Sequence, residues 1–336
     1  MAGKFFSSIS SLIYKIPGRF SKKLVMIGNI LFRDWRIDLP GYDWSGLEKF
    51  RKYGSLEELP DLDDLDARSR DVIRRFMSLV FMSSVFDKRR FFYNCSGLLE
   101  RLPRKKRAEL EHKRREFLRK YGLRLSPGMS QEDAACCFSH GLSLLPERVT
   151  GYVADKLFVD AGAYIGDSAL SFLPYRPKKI LSFEPSSPMF AVLRENLARI
   201  AELREKCEIF QMALGEESGE LHFCDDLFSA CHEDAGSPSV VEQTTVDDFV
   251  SRCETPVGLI KADIEGMGLK MIRGAKATIL RDRPVLTLAV YHCPDEAFGI
   301  REELKSWDLG YKCRYEFLEP ESTGELTLIA YPSELD

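Results

Sequence analysis

Residues Phe158–Ser168 read FVDAGAYIGDS. A short apolar run ends in Asp160, glycines follow at 162 and 166, and SALSFL continues with helical character. A buried strand passing through a glycine turn into a helix opens a strand–helix–strand unit. The spacing of the glycines decides what the turn can hold. A dinucleotide turn needs G-x-G-x-x-G to fit a pyrophosphate, whereas this one is G-x-x-x-G, with Ala163 where a middle glycine would stand and Tyr164 after it. Gly162 is expected to let backbone approach a ligand, Gly166 to let the turn enter the helix, and Asp167 with Ser168 to open that helix with free N–H groups. An aspartate beside a pyrophosphate costs affinity, and beside an ammonium group it adds affinity. Asp160 therefore points to a ligand carrying both an amine and a carboxylate.

From Lys156 onward, short apolar runs alternate with helical patterns, which predicts an α/β fold with a doubly wound, mostly parallel sheet. Strands are expected at KLFVDAG, KILSFEP, CEIFQMAL, VGLIKAD and PVLTLAVYH. YKCRYEFLEPESTGELTLIAYP reads as a hairpin closing the sheet edge. After the second strand Ser187 is expected to cap a helix with Pro188 in its first turn, and Phe190, Leu193, Leu197 and Ile200 form one face. DEAFGIREELKSWDLG is a further helix that turns Phe298, Leu304 and Trp307 inward and ends at Gly310. Glu184 ends the second strand, where an acid can accept both hydroxyls of a ribose. Ribose, amine and carboxylate together describe S-adenosylmethionine better than a nicotinamide dinucleotide.

The sequence changes character near residue 150, giving a helical N-terminal region over 1–149 and a sheet-bearing domain over 150–336. DDLDARSRDVIRRFMSLVFMSSVF places Leu65, Val72, Phe76, Leu79 and Val80 at helical spacing. Between Arg101 and Lys120 ten Lys or Arg stand against three Glu. Without interleaved aromatics for stacking, this segment reads as a solvated helix with a Leu110, Phe117, Leu118 stripe facing inward, not as a nucleic-acid surface. These helices can bury against the sheet, pair with a second subunit in a homo-oligomer, or form an acceptor-binding lid. KFFSSISSLIYKIPGRFSKK mixes aromatics with lysines, a composition suited to weak membrane-surface contact, but Pro17 and Gly18 interrupt it.

Lys and Arg total 48 against 52 Asp and Glu, a balance that argues against nucleic acid as partner. The nine-residue run LVMIGNILF is too short to cross a bilayer. Nine cysteines, an odd number scattered from Cys95 to Cys313, suggest reduced thiols and a cytoplasmic protein. Cys224 and Cys231-His232 lack a fourth ligand at zinc-like spacing, so no metal is expected.

DAGAYIGDSAL, SFEPS, the ALG of MALGEESGE, TTVDDF and IKADIEGMGLKMIRGA, in that order, resemble the FkbM-type methyltransferases within the class I S-adenosylmethionine-dependent fold. The resemblance runs from about Gly151 to Pro332. It implies a Rossmann-like, seven-stranded, mostly parallel sheet with an antiparallel C-terminal hairpin. It also implies that Asp160, Gly162 and Gly166 line the methionine part of the cofactor, Glu184 holds the ribose, and Met212, Ala213 and Leu214, ending the third strand, border the adenine. Asp263 and Glu265, at the end of the fourth strand, would face the reacting methyl. Gly268 departs from the pattern, because many members carry a second glutamate there, whose role would be absent or supplied elsewhere, as by His292.

Members act on hydroxyls of sugars and secondary metabolites, so an O-methyltransferase with a glycan or small-molecule acceptor is expected. A hydroxyl is a poor nucleophile, and His292, after the fifth strand, is a candidate base alongside Asp263 and Glu265. Lys261 should share a face with Asp263, which leaves electrostatic support and catalysis unseparated for that pair. Two alternatives stand beside this expectation. One is a non-catalytic module that keeps the cofactor fold as a scaffold. The other is a nicotinamide oxidoreductase, disfavoured by the glycine spacing.

Overall fold

The computed structural model describes residues 49–50, 59–83, 104–124, 140–223, 239–318 and 326–336. The N-terminal aromatic segment and the Cys224, Cys231 and His232 group lie outside the described residues. Helices α1 (Ala67–Ser83) and α2 (Arg104–Tyr121) come first. A short helix α3 (Glu147–Val153) leads into β1 (Leu157–Ala161) and α4 (Asp167–Phe172). Then follow β2 (Lys179–Phe183), α5 (Ser187–Arg199), α6 (Ala201–Lys206) and β3 (Cys207–Phe210). Short strands β4 (Ala213–Leu214), β5 (Gly219–His222) and β6 (Val240–Thr244) precede α7 (Val246–Val250) and β7 (Val257–Ala262). After α8 (Gly268–Arg273), α9 (Lys276–Asp282) and β8 (Val285–Ala289), a π-helical segment Asp295–Gly299 runs into α10 (Ile300–Ser306). Strands β9 (Tyr311–Phe317) and β10 (Leu326–Pro332) close the chain's sheet.

The main sheet has seven strands in the order β3-β2-β1-β7-β8-β10-β9. The first five are parallel, and β10 runs antiparallel to both neighbours. The order reverses between β1 and β7, so a crevice opens beside the carboxyl end of β1. All five residues of β1 and all six of β7 are buried, as strands covered on both faces must be. Helices on one face bury Phe158, Leu170, Phe172, Val149 and Leu203, and those on the other bury Ile260, Met271, Ile272, Ile279 and Leu288.

Two expected boundaries shift. The third strand stops at Phe210, and Ala213–Leu214 pairs instead with β6 in a separate sheet of order β4-β6-β5. The cap of α5 is Ser186, whose side chain accepts from the Met189 N–H, with Pro188 in the first turn. The stripe of α5 holds Met189, Leu193 and Asn196 buried, while Phe190 is only half-buried.

The described part of the N-terminal region lies on the sheet. α1 covers the edge strand β9, where Ser69 Oγ accepts from the Tyr315 N–H at 3.0 Å and Arg68 pairs with buried Glu316 at 2.8 Å. Phe50, Val72, Ile73, Phe76 and Met77 join the same core as Phe298. Covering an edge strand removes an open template for pairing with other chains. Phe117 and Tyr121 of α2 pack on the opposite cluster. Among the described residues no helix is long and apolar enough to cross a membrane.

Candidate active site

The turn after β1 is held from both neighbouring strands. The Gly162 and Ala163 N–H groups both donate to Phe183 O at 3.0 Å, and the Asp263 N–H donates to Ala161 O at 3.1 Å. Gly162 has φ +75°, and a Cβ there would stand 2.0 Å from the Asp263 carbonyl oxygen. The sequence reading assigned this glycine's space to a ligand; the backbone of the β7 loop fills it. Gly166, at φ +91°, is the N-cap of α4, and a Cβ would press on Leu193 at 2.9 Å. Tyr164 is also left-handed, at φ +49°, an uncommon state for a residue with a side chain.

Asp160 is fully buried and is not offered to a ligand. Register pairs it with Lys261 on β7, whose Nζ lies 3.2 Å from Asp160 Oδ1. The other oxygen accepts from Ser168 Oγ at 2.6 Å and Ser182 Oγ at 3.1 Å. Lys261 also donates to Gly162 O at 2.6 Å and Ala161 O at 3.2 Å. Burial alone would lower its pKa, but the carboxylates of Asp160, Asp263 and Asp167 hold it above the ordinary lysine value. The expected contact of Asp160 with a cofactor amine is thus corrected: the aspartate anchors Lys261, and Lys261 ties down the turn. Asp167, partly exposed at the start of α4, has its pKa raised to about 6, chiefly by burial.

Glu184 continues β2 into the same rim and is almost fully buried. Its Oε2 accepts from the Tyr164 N–H at 2.8 Å and its Oε1 from the Ser186 N–H at 2.9 Å, so one carboxylate joins two turns. Burial pushes its pKa up to about 7 against the pull of those two bonds. Beneath it Phe183, Phe210 and Phe249 form an aromatic triangle with centroids 4.6–5.2 Å apart. Met212 is half-buried beside this floor, while Ala213 and Leu214 are buried in β4 and its packing.

The opposite half of the rim follows β7 and β8. Asp263 Oδ1 lies 3.4 Å from His292 Nε2 and accepts from Tyr291 Oη at 3.4 Å. Glu265, left-handed at φ +56°, brings Oε2 to 3.1 Å from the same Nε2. His292 Nδ1 meets Glu296 Oε2 at 3.0 Å. Burial acts to lower the pKa of His292, yet Glu265 and Glu296 hold it well above the ordinary histidine value. With Glu265 and Asp263 at Nε2 and Glu296 at Nδ1, both ring nitrogens of His292 face carboxylates within the cluster. Asp263 and Glu265, with side chains 27% and 28% exposed, are the groups open to an acceptor.

Glu296 is the residue that sequence reasoning missed. It is fully buried in the π-helical segment, a local irregularity common at functional sites. Its Oε1 accepts from the Gly266 N–H at 3.1 Å and the Gly268 N–H at 2.9 Å. A Cβ on Gly268 would meet that oxygen at 2.8 Å. Glu296 thus brings a carboxylate from a different element to position 268, where the absence of a side chain makes room for it. Its only sequence signal was the acid four residues after His292. Next to Asp263, a small water-sized recess of about 10 Å³ is lined by His140, Ala262, Thr287, Ala289, Leu318 and Thr327. Thr287 Oγ1 is buried there without a hydrogen-bond partner.

A seven-stranded sheet of this order, reversing beside a glycine turn and closed by an antiparallel hairpin, is a Rossmann-like arrangement with its crevice at the carboxyl ends of β1 and β7. Residues 160–313 match the family model described as the Methyltransferase FkbM domain. The crystal structure of methyltransferase FkbM from Methylobacillus flagellatus KT is similar, with TM-score 0.45 and 19% identity, over 65% of this chain and 59% of that one. A putative methyltransferase from Streptococcus mutans in complex with SAH has TM-score 0.36 and 12% identity, over 55% and 93% of the respective chains. Aeropyrum pernix fibrillarin with natively bound S-adenosyl-L-methionine has TM-score 0.35 and 13% identity, over 59% and 73%. No curated protein matches the chain.

Proposed function

We propose that the protein is an S-adenosylmethionine-dependent O-methyltransferase acting on a hydroxyl of a glycan or other small molecule. One observation carries this reading: the carboxyl ends of β1, β2, β7 and β8 bring the glycine turn, Glu184 and the Asp263–Glu265–His292 group to one rim. The donor set suits the cofactor. Each Glu184 oxygen accepts one backbone N–H and keeps a further acceptor site, which is what two ribose hydroxyls require. The half-buried Met212 and the Phe210 floor offer apolar surface at the end of β3 for an adenine. When bound, S-adenosylmethionine supplies a sulfonium methyl that is open to in-line displacement.

The chain's own part is orientation and charge. Lys261 fixes the turn and the start of the β7 loop, which sets where Asp263 and Glu265 stand. These two acids face the open side of the rim and can accept a hydroxyl's hydrogen bond and then its proton. The test is calorimetric titration with S-adenosylmethionine and S-adenosylhomocysteine, followed by transfer of an isotopically labelled methyl to a panel of sugars and hydroxylated metabolites. Binding of both cofactor forms with label on oxygen supports the reading. If neither form binds at millimolar concentration, the reading fails.

A further inference from the structure

The cluster behind the acceptor-facing acids has the form of a cation site. Asp263, Glu265 and His292 each offer one donor atom, and the three atoms lie within 4.8 Å of one another. His292 Nε2 is 3.1 Å from Glu265 Oε2 and 3.4 Å from Asp263 Oδ1. Ligands about 2.1 Å from a metal stand about 3.0 Å apart at octahedral angles and about 3.4 Å apart at tetrahedral ones. The two measured separations match those edges. A second observation is independent of the acids: His292 is 6% exposed, and its Nε2, aimed into the cluster, makes no hydrogen bond. Nε2 thus stands at ion-pair distance from both oxygens with a hydrogen bond to neither.

The surroundings follow the same pattern. Metal-bound histidines usually give their second ring nitrogen to a carboxylate, which fixes the tautomer. Glu296 occupies that position on Nδ1 and is itself clamped by the Gly266 and Gly268 N–H groups. A bound ion would take the Nε2 lone pair in place of the proton that the surrounding acids otherwise favour there, leaving a neutral imidazole and two carboxylates of charge −2 that a divalent ion balances. Two carboxylate oxygens and one imidazole nitrogen suit manganese or zinc better than calcium, which takes oxygen ligands alone.

We infer that Asp263, Glu265 and His292 bind a divalent transition-metal ion, with Glu296 as the positioning residue. The inference deepens the methyltransferase reading and, for its use in catalysis, rests on it: an acceptor hydroxyl on an open coordination position would lose its proton to water more readily, because the ion stabilises the alkoxide. Binding itself is testable without turnover. The full-length protein is stripped with a chelator and titrated with MnCl2, and free ion is counted by electron paramagnetic resonance. One equivalent should bind, with pulsed spectra showing coupling to one imidazole nitrogen. His292→Ala should abolish that coupling. Glu265→Gln should weaken binding at least tenfold, and Glu296→Gln about 10- to 100-fold. Absence of stoichiometric manganese or zinc binding overturns the inference, as does bound manganese with no nitrogen coupling. The nitrogen readout needs no variant, so it decides the matter even if a variant misfolds. Titrating S-adenosylhomocysteine in parallel separates the two readings: cofactor binding without a metal retains the methyltransferase and removes the ion, and metal binding without cofactor does the reverse.

Discussion

The rim contains two charged clusters that look alike in composition and differ in what surrounds them. In the first, Asp160, Lys261, Ser168 and Ser182 form a sealed set in which the lysine and the aspartate neutralise each other. In the second, His292 faces Asp263, Glu265 and Glu296, so acid exceeds base and two of the acids are partly exposed. A closed pair holds backbone in place. A cluster with surplus charge and an open side has capacity left for a ligand, which is why the second cluster, and not the motif aspartate, is where chemistry is assigned.

That contrast is breakable. Lys261→Ala leaves Asp160 buried without its counter-charge, and removing one partner of a buried pair costs about 3–5 kcal/mol. Urea denaturation should show this as a large fall in midpoint, and a stable but inactive variant would move Lys261 from framework to chemistry. Asp263→Asn should do the opposite, keeping the denaturation midpoint near wild type and lowering turnover by about 10²- to 10³-fold, within the usual worth of an acid–base group. Steady-state kinetics beside the same urea curves read both.

Glu184 lies between the two clusters and sharpens the comparison through pH. Burial pushes its pKa from the ordinary 4.5 up to about 7. The folded state thus binds more protons than the unfolded one across that window, and this group's contribution to stability falls as pH rises from about 4.5 to 7. Cofactor affinity should run the other way, since the ionised carboxylate is the better acceptor for ribose hydroxyls. Calorimetry with S-adenosylhomocysteine should show affinity rising through pH 7 in the wild type. Glu184→Gln should flatten that profile and lose about 1.5–3 kcal/mol at pH 8. The smallest effect belongs to an exposed pair far from the rim, Arg176–Asp155, where Arg176→Ala should change stability by less than about 1 kcal/mol by thermal denaturation.

The glycine turn and the alternation of apolar runs with helical patterns were enough to predict a doubly wound sheet, because strand burial and turn chemistry are local properties. Gly162 was read as a place kept free of a Cβ and Gly166 as the entry to a helix, and both glycines have left-handed φ with no room for a Cβ. What occupies the space was not visible, since the Asp263 carbonyl arrives from a strand about a hundred residues later. The break after Phe210 was missed for a similar reason. CEIFQMAL has strand character throughout, and only pairing with β6 separates Ala213–Leu214 from the main sheet.

The sequence by itself determined the sheet's class, the rim's position at the carboxyl ends of the strands, and the acids that reach it, Glu184, Asp263 and Glu265. The class, the rim and Glu184 follow from periodicity, glycine spacing and where apolar runs end, whereas Asp263 and Glu265 were reached through the family resemblance. Tertiary structure decided what each charge does. Cross-strand register gave Asp160 to Lys261, and the π-helical segment brought Glu296 into the space above Gly268 and onto His292. A residue's type is local, but its protonation and its partners depend on the groups that packing brings within about 4 Å, where interactions between charges are strongest.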